Sequence, residues 1–279
     1  MKDLENNETF AAQPVNKIHF EQVVTLQPKT FTHLDLFSGI GGFALAAKSV
    51  FGERYKNVGF CEIDEFCHKV LRKNFGQDIK IIDDIKKITE YKFGTVDLIT
   101  GGDPCQPFSK AGRKRGTDDN RALWSYMYGA ILKFRPTWII NENVVGSKNM
   151  VLDRKIEDLE LGDYRTRQFI IPAEAVGTTH KRERLFIIAH ANGIGREKKF
   201  DETKLFNKKI QKTSEGEFGR TMGFLNREQL IAKYGGRNDG LSTKLDADRI
   251  KALGNAIVPQ VAIELLAAIK TVNDNECQY

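Results

Sequence analysis

The 279-residue chain carries 43 Lys and Arg against 37 Asp and Glu, a formal charge of +6, with 41% hydrophobic and 29% charged residues. This is the composition of a folded chain long enough for one large domain with a small one attached, and it excludes low-complexity and collagen-like classes. No continuous apolar run approaches the roughly 20 residues that span a bilayer, and MKDLENNETFAAQPVNKIHF at the start has no apolar centre of a secretory signal. A cytoplasmic protein with no membrane role is expected.

Elements can be read in chain order from about Phe31. Short β-rich runs alternate with helical patterns: THLDLF then GGFALAAKSVF, NVGFCEI then DEFCHKVLRKNF, IKII, TVDLIT, NRALWSYMYGAILKF, TWIIN and LFIIA. Strands spaced by crossover helices predict a parallel α/β sheet. After Ala191 the pattern gives way to polar sequence, in which residues 193–238 hold 11 Lys and Arg against 6 Asp and Glu. Nearly all the excess charge lies there, either as a solvated lysine-rich surface or as a nucleic-acid contact. RIKALGNAIVPQVAIELLAAIK then resumes the α/β pattern as a helix with Pro259 in its first turn. The expected organisation is an N-terminal extension (1–30), an α/β domain (31–190 with 246–279) and an inserted module (191–245).

DLFSGIGGFALA reads as strand, glycine turn and helix, and Gly39, Gly41 and Gly42 let a ligand approach the main chain at the helix N-terminus. Such a turn alone is a weak signal. Glu62, about twenty residues on at the end of the second strand, stands where a ribose hydroxyl is held. Asp84, at the end of the third, could accept from an adenine amino group, and serves equally well as a helix N-cap, as does Asp64.

Four cysteines, Cys61, Cys67, Cys105 and Cys277, form neither a CxxC pair nor a metal-type spacing, so neither a disulfide framework nor a metal site is expected. Cys61 and Cys67 read as small buried hydrophobes. Cys105 does not. In GGDPCQPFS it sits in a proline-fixed loop past the fourth strand, with little apolar surface to pack on, as a reactive thiol would. Glu142, in NENV after TWII, projects at the same sheet edge. In HKRERLFII, period-2 alternation places Arg182 and Arg184 on one face and Glu183 on the other. The two guanidiniums could hold a phosphate or a polar base edge, or form a surface ladder with Glu183.

DLFSGIGGF, CEID, DDIKKI, GGDPCQPFS, NENV, HKRERLF and LGNAIVPQVA, in this order and spacing, resemble the cytosine-C5 DNA methyltransferases over roughly Leu34 to Ile269. PCQ, ENV and the glycine turn in combination are highly specific. The resemblance implies a Rossmann-like sheet binding S-adenosyl-L-methionine, a small inserted target-recognition domain at 191–245, and double-stranded DNA as substrate. It allows for a cognate restriction endonuclease as partner, and a monomer is the expected state. By the same resemblance Cys105 is the nucleophile, Glu142 the acid, and Arg182 and Arg184 help hold the cytosine and its phosphate. Cofactor contacts fall on Phe37, Gly39, Gly42, Glu62, Ile63, Asp84, Ile85 and Pro104, and on Leu123 and Asn255. The chain departs from many members at His180, where they carry glutamine.

The chemistry asks for these residues. Cytosine C5 is a poor nucleophile until a thiolate adds to C6, and a proton or hydrogen bond at N3 neutralises the charge this creates. A stacked base hides those atoms, so the cytosine must be flipped out. Lys198, Lys199, Lys208, Lys209 and Arg220 in the inserted module would contact phosphate, which gives affinity but no sequence information. Three alternatives stand beside this one. An RNA cytosine methyltransferase would use the same fold, and a binding protein could keep the fold without turnover. A nicotinamide dehydrogenase fits the glycine turn but leaves PCQ and NENV without a role.

Overall fold

The computed structural model describes residues 29–104, 117–145, 149–177, 182–193, 248 and 251–276, without the side chains of 117–122, 149–150 and 275–276. Seven strands form one sheet: β1 (Phe31–Leu36), β2 (Tyr55–Cys61), β3 (Ile81–Ile82), β4 (Leu98–Gly101), β5 (Trp138–Val144), β6 (Tyr164–Ile171) and β7 (Arg184–Ala191). Their order is β3-β2-β1-β4-β5-β7-β6. The first five strands are parallel, joined through α1 (Gly42–Phe51), α2 (Glu65–Phe75) and α3 (Thr117–Phe134). The sheet is not parallel throughout: β7 runs antiparallel between β5 and β6. The continuous apolar run LFIIA does not carry strand direction, so the expectation of a parallel sheet is corrected for β7 and its neighbour β6. α4 (Asn149–Leu161) and β6 are additional to the elements read from sequence.

Both faces of the sheet are covered, so its central strands are apolar on both sides. One face packs Phe31, Trp138, Ile140, Phe186 and Ile188 against α1 and α5 (Pro259–Glu276), and the other packs Leu34, Ile99, Ile139 and Ile187 against α3 and α4. Pro259 opens α5, where its missing N–H costs nothing. The helix thus begins with Pro259 in its first turn, as the sequence predicts, and the helical turn at 251–255 is separate from it. No continuous apolar run is present there, but an 18-residue window within Lys251–Asp274 reaches a mean hydropathy of 1.7, in the range of a membrane span. Val261, Ala262, Leu265, Leu266, Ala268, Ile269 and Val272 are buried in the core, which accounts for that composition.

The chain leaves β1 toward β2 and β3, then returns to β4 and β5 on the other side. This reversal puts a crevice at the carboxyl ends of β1 and β4, where open α/β sheets bind ligands.

A buried polar chain crosses under that crevice. Tyr55 OH lies 3.0 Å from His33 Nδ1, His33 Nε2 lies 2.6 Å from Thr100 Oγ1, and Thr100 donates to Asp35 Oδ1 at 2.6 Å. Since the Thr100 hydroxyl proton goes to Asp35, His33 Nε2–H must be the donor to Thr100. Burial holds the Asp35 carboxyl up at about 8 and drives the His33 imidazole down to about 3. Folded Asp35 keeps a proton that an unfolded carboxyl, at 3.8, releases, so its contribution to stability declines as pH rises from about 4 to 8. His33 contributes the opposite slope between about 3 and 6.5. Above 6.5 only the Asp35 slope is left of this pair. Denaturant midpoints are therefore expected to fall between about pH 6.5 and 8, and Asp35→Asn is expected to flatten that decline.

Candidate active site

The glycine turn follows β1 directly. Ser38 Oγ donates to the Asp35 carbonyl at 2.6 Å, closing the turn, while Gly39 and Gly41 take φ of 53° and 84°. A Cβ on Gly41 would lie 2.7 Å from the Phe75 ring, and one on Gly42 would lie 2.5 Å from Ile257 Cγ2. These two glycines let α1 close against α2 and against the turn before α5. Gly39 is different, because a Cβ there would meet nothing within 4 Å. Its side faces open space, as a ligand-approach position requires.

Glu62 follows β2 and is tied to this turn. Its Oε2 accepts from Gly39 N at 2.7 Å, and its Oε1 accepts from Ile63 N (3.0 Å) and Asp64 N (2.9 Å). The carboxylate is thereby aimed at the crevice. Ile63 beside it is 80% exposed, an unusual state for isoleucine. Asp64 caps α2 by accepting from Phe66 N, and Asp84 caps the 3-10 turn Ile85–Glu90 by accepting from Lys86 N at 2.9 Å. The capping role weighed for Asp84 is thus observed. Its residue also lines an open cleft of about 680 Å³ with Ile63, His68, Arg72, Lys87 and Tyr91. Ile85 is buried in the core, Phe37 (φ 51°) and Leu123 pack at the core's margin, and Pro104 and Asn255 are exposed.

Glu142 lies inside β5 rather than beyond it. Val144 pairs with Arg184 across the antiparallel β5–β7 ladder, so Glu142, two residues back, shares a sheet face with Arg184 on the diagonal. Arg184 Nε meets Glu142 Oε1 at 2.8 Å. Arg182 is not in the strand, which begins at Arg184, and it takes φ of 28°. Period-2 alternation therefore does not place Arg182; its guanidinium is fixed instead by donation to Ala256 O at 2.8 Å. No ladder with the Glu183 carboxylate forms among the described residues: Arg184 Nη1 donates to the Glu183 main-chain carbonyl and its Nε goes to Glu142. Burial raises the Glu142 carboxyl above its usual range, and the charges of Arg184 and Arg182 oppose that rise. The result is a carboxyl prone to hold a proton yet oriented by cations.

Gly102 touches this carboxyl. A Cβ on Gly102 would stand 2.9 Å from Glu142 Oε2. Because Arg184 holds the other oxygen, Gly102→Ala is expected to displace the carboxyl while leaving the core intact. Turnover at this site should fall by roughly 10- to 100-fold with a melting temperature close to wild type, as side-by-side rate and calorimetric measurements would check.

Cys105 and the lysines and arginine assigned to the inserted module lie outside the described residues. Pro104, the residue before Cys105, is at the same sheet end as Glu142, the glycine turn and Arg182. Cys61 and Cys67 are buried, and burial pushes both thiols up to about 12, so neither is a nucleophile at neutral pH. Sequence reasoning missed the contact of Arg182 with Ala256 and the part taken by Asp103, Asn141 and Lys155. Lys155 Nζ bonds Asp103 and Asn141 beneath the site. Nothing in the charged string DRKIEDLE marks Lys155 as the buried member.

Residues 31–234 match the family model described as C-5 cytosine-specific DNA methylase. Type II methyltransferase M1.ScrFI of Lactococcus lactis subsp. cremoris is 34% identical over 194 residues, covering 66% of this chain and 49% of that protein. Type II methyltransferase M.DsaV of Dactylococcopsis salina is 33% identical over 214 residues, covering 75% and 57%. The chain thus spans about half the length of these curated relatives. Among solved structures, a putative DNA modification methyltransferase encoded within an Escherichia coli prophage superposes with a TM-score of 0.62 at 16% identity, covering 88% of this chain and 100% of that one. S. pombe Dnmt2 methyltransferase gives 0.60 at 16% identity, covering 87% and 99%. That likeness is one of fold: a Rossmann-like α/β sheet. With the family pattern running from β1 through β7 and beyond, the chain belongs to the C-5 cytosine-specific DNA methylases.

Proposed function

We propose that the chain is a DNA (cytosine-5)-methyltransferase, moving a methyl group from S-adenosyl-L-methionine to C5 of a flipped-out cytosine in a specific duplex sequence. The observation that carries this is Glu142. It is a largely buried carboxyl, raised by burial, gripped by Arg184 and so close to Gly102, three residues before Cys105, that a side chain there would meet it. An acid so held at this end of the sheet suits a reaction that protonates a ring nitrogen.

Cys105 thiolate adds to C6, and the electron pair displaced from the C5–C6 bond spreads over C5 and N3. Glu142 donates its proton or a short hydrogen bond to N3, so the ring carries no net anion in a dry pocket. Arg184 orients that carboxyl, and Arg182, braced on Ala256, sets positive charge beside it. When bound, the cofactor supplies an electrophilic methyl group to C5. Release of the C5 proton to water then re-forms the C5–C6 double bond and expels Cys105 as its thiolate, while N3 returns its proton to Glu142, so that the neutral aromatic base and the acid are both restored.

The glycine turn and Glu62 fit such a cofactor. Gly39 leaves room for a ligand against the main chain, and the Glu62 carboxylate is fixed where a ribose hydroxyl would donate to it. Ile63 offers an apolar surface to a flat base, with Asp84 at the cleft rim. Phe37, Gly42, Ile85, Pro104, Leu123 and Asn255 complete the proposed cradle. The basic segment at 191–245 would read the flanking duplex in the major groove, with lysines on phosphate. Both relatives above are named type II methyltransferases, and a cognate endonuclease is proposed on that basis.

The test is incubation with methyl-labelled S-adenosyl-L-methionine and a long mixed-sequence duplex, beside folded RNA, with modified cytosines mapped by bisulfite sequencing. Label at one recurring DNA sequence is expected. Label in RNA alone would reassign the substrate.

A further inference from the structure

Lysine is among the residues least often fully buried, and burying an ammonium is costly unless it is paired. Lys155 of α4 is 2% exposed. Its Nζ donates to Asp103 Oδ1 and, at 3.0 Å, to Asn141 Oδ1, and it lies 5.1 Å from the centre of the Trp124 ring. Asn141 Nδ2 in turn donates to Asp103 Oδ1 (2.9 Å) and to the Gly101 carbonyl (3.1 Å). The result is a closed triangle of three side chains. It ties the end of β4 and the middle of β5 to a helix on the face opposite the Glu142 carboxyl.

The residues it joins flank the proposed chemistry in sequence. Asn141 precedes Glu142. Asp103 stands between Gly102, which abuts the Glu142 carboxyl, and Pro104, which precedes Cys105. We infer that Lys155 is a positioning residue: it fixes the spacing between Glu142 and the main chain that leads into Cys105, so that thiolate and acid reach one cytosine ring together. This rests on the reading of Cys105 and Glu142 given above. Lys155 itself touches neither substrate nor cofactor.

A buried ion pair that serves stability alone can be exchanged for neutral groups with little loss, whereas removal of one partner strands the other charge. That difference makes the inference testable with the full chain. Lys155→Met leaves Asp103 buried without its cation. Asp103→Asn combined with Lys155→Met removes both charges and keeps a variant in hand should the single one fail to fold. For each, the melting temperature, kcat, the KM for cofactor and for duplex, and the rate of adduct formation on duplex containing 5-fluorocytosine are measured, below the melting transition.

A positioning role predicts that kcat and the adduct rate fall together by roughly 10- to 100-fold, with both KM values within about twofold of wild type. The double variant should regain melting temperature over the single one and yet stay slow. A double variant that melts lower but turns over at the wild-type rate would overturn the inference, because the pair would then be structural only. A wild-type chain that binds cofactor and duplex but forms no adduct would overturn the underlying reading, and this inference with it.

Discussion

Glutamine in place of Glu142 is expected to lower kcat for methyl transfer by about 10²- to 10⁴-fold, the range over which a positioned acid acts. The change is nearly isosteric. Arg184 keeps an oxygen to donate to, so folding should survive. What is lost is the proton for N3. Because burial raises the Glu142 carboxyl, and Arg184 and Arg182 only oppose that rise, the acid form persists to a higher pH than for a free glutamate. If the acid form is the working one, wild-type kcat should decline as pH rises through that raised value, and Glu142→Gln should lack this limb. Initial rates of label transfer across neutral pH, for both proteins, check magnitude and shape together.

Cys105→Ser is expected to abolish transfer, by on the order of 10⁴-fold or more, as removal of a nucleophile that acts in concert with other groups does. A serine hydroxyl is far less ionised than a thiol and does not add to C6 at a useful rate. Cys61→Ser and Cys67→Ser are the controls. Their thiols are buried and pushed up to about 12, so these changes should cost stability and leave the chemistry. A loss of transfer in either control, with the chain folded, would move the nucleophile elsewhere.

The parts of this site that were legible in the sequence are those where one residue's physical chemistry is decisive. A glycine run between a strand and a helix, and an acid about twenty residues on, mark a ligand turn because few other residues permit that backbone. Glu62 and Gly39 are indeed in contact. Other parts depend on pairing, which local pattern does not record. Period-2 alternation suits β7 in either direction, so its antiparallel placement was hidden, and with it the diagonal contact of Arg184 with Glu142. Alternation extended too far also put Arg182 on a strand that starts two residues later. β6 was missed because it is an edge strand, where Arg165 and Arg167 break the apolar pattern. α4 was missed because its 13 residues divide evenly between six charged and six apolar ones, and the lysine that matters looks like its charged neighbours. Only the fold distinguishes Lys155, by bringing to it Asp103 from the chain after β4 and Asn141 from β5.

The covalent bond between Cys105 and a flipped cytosine is the step on which the proposed mechanism rests. Duplex DNA with 5-fluorocytosine throughout tests it most directly, since fluorine at C5 cannot leave as a proton does and the adduct is held after methyl addition. The protein, incubated with this duplex and S-adenosyl-L-methionine, should migrate as a denaturant-resistant complex, and mass spectrometry should place the modified base on the peptide containing Cys105. The complex should vanish without cofactor and in Cys105→Ser. A wild-type chain that methylates ordinary duplex but yields no such complex, or one whose adduct maps to another residue, would contradict the mechanism.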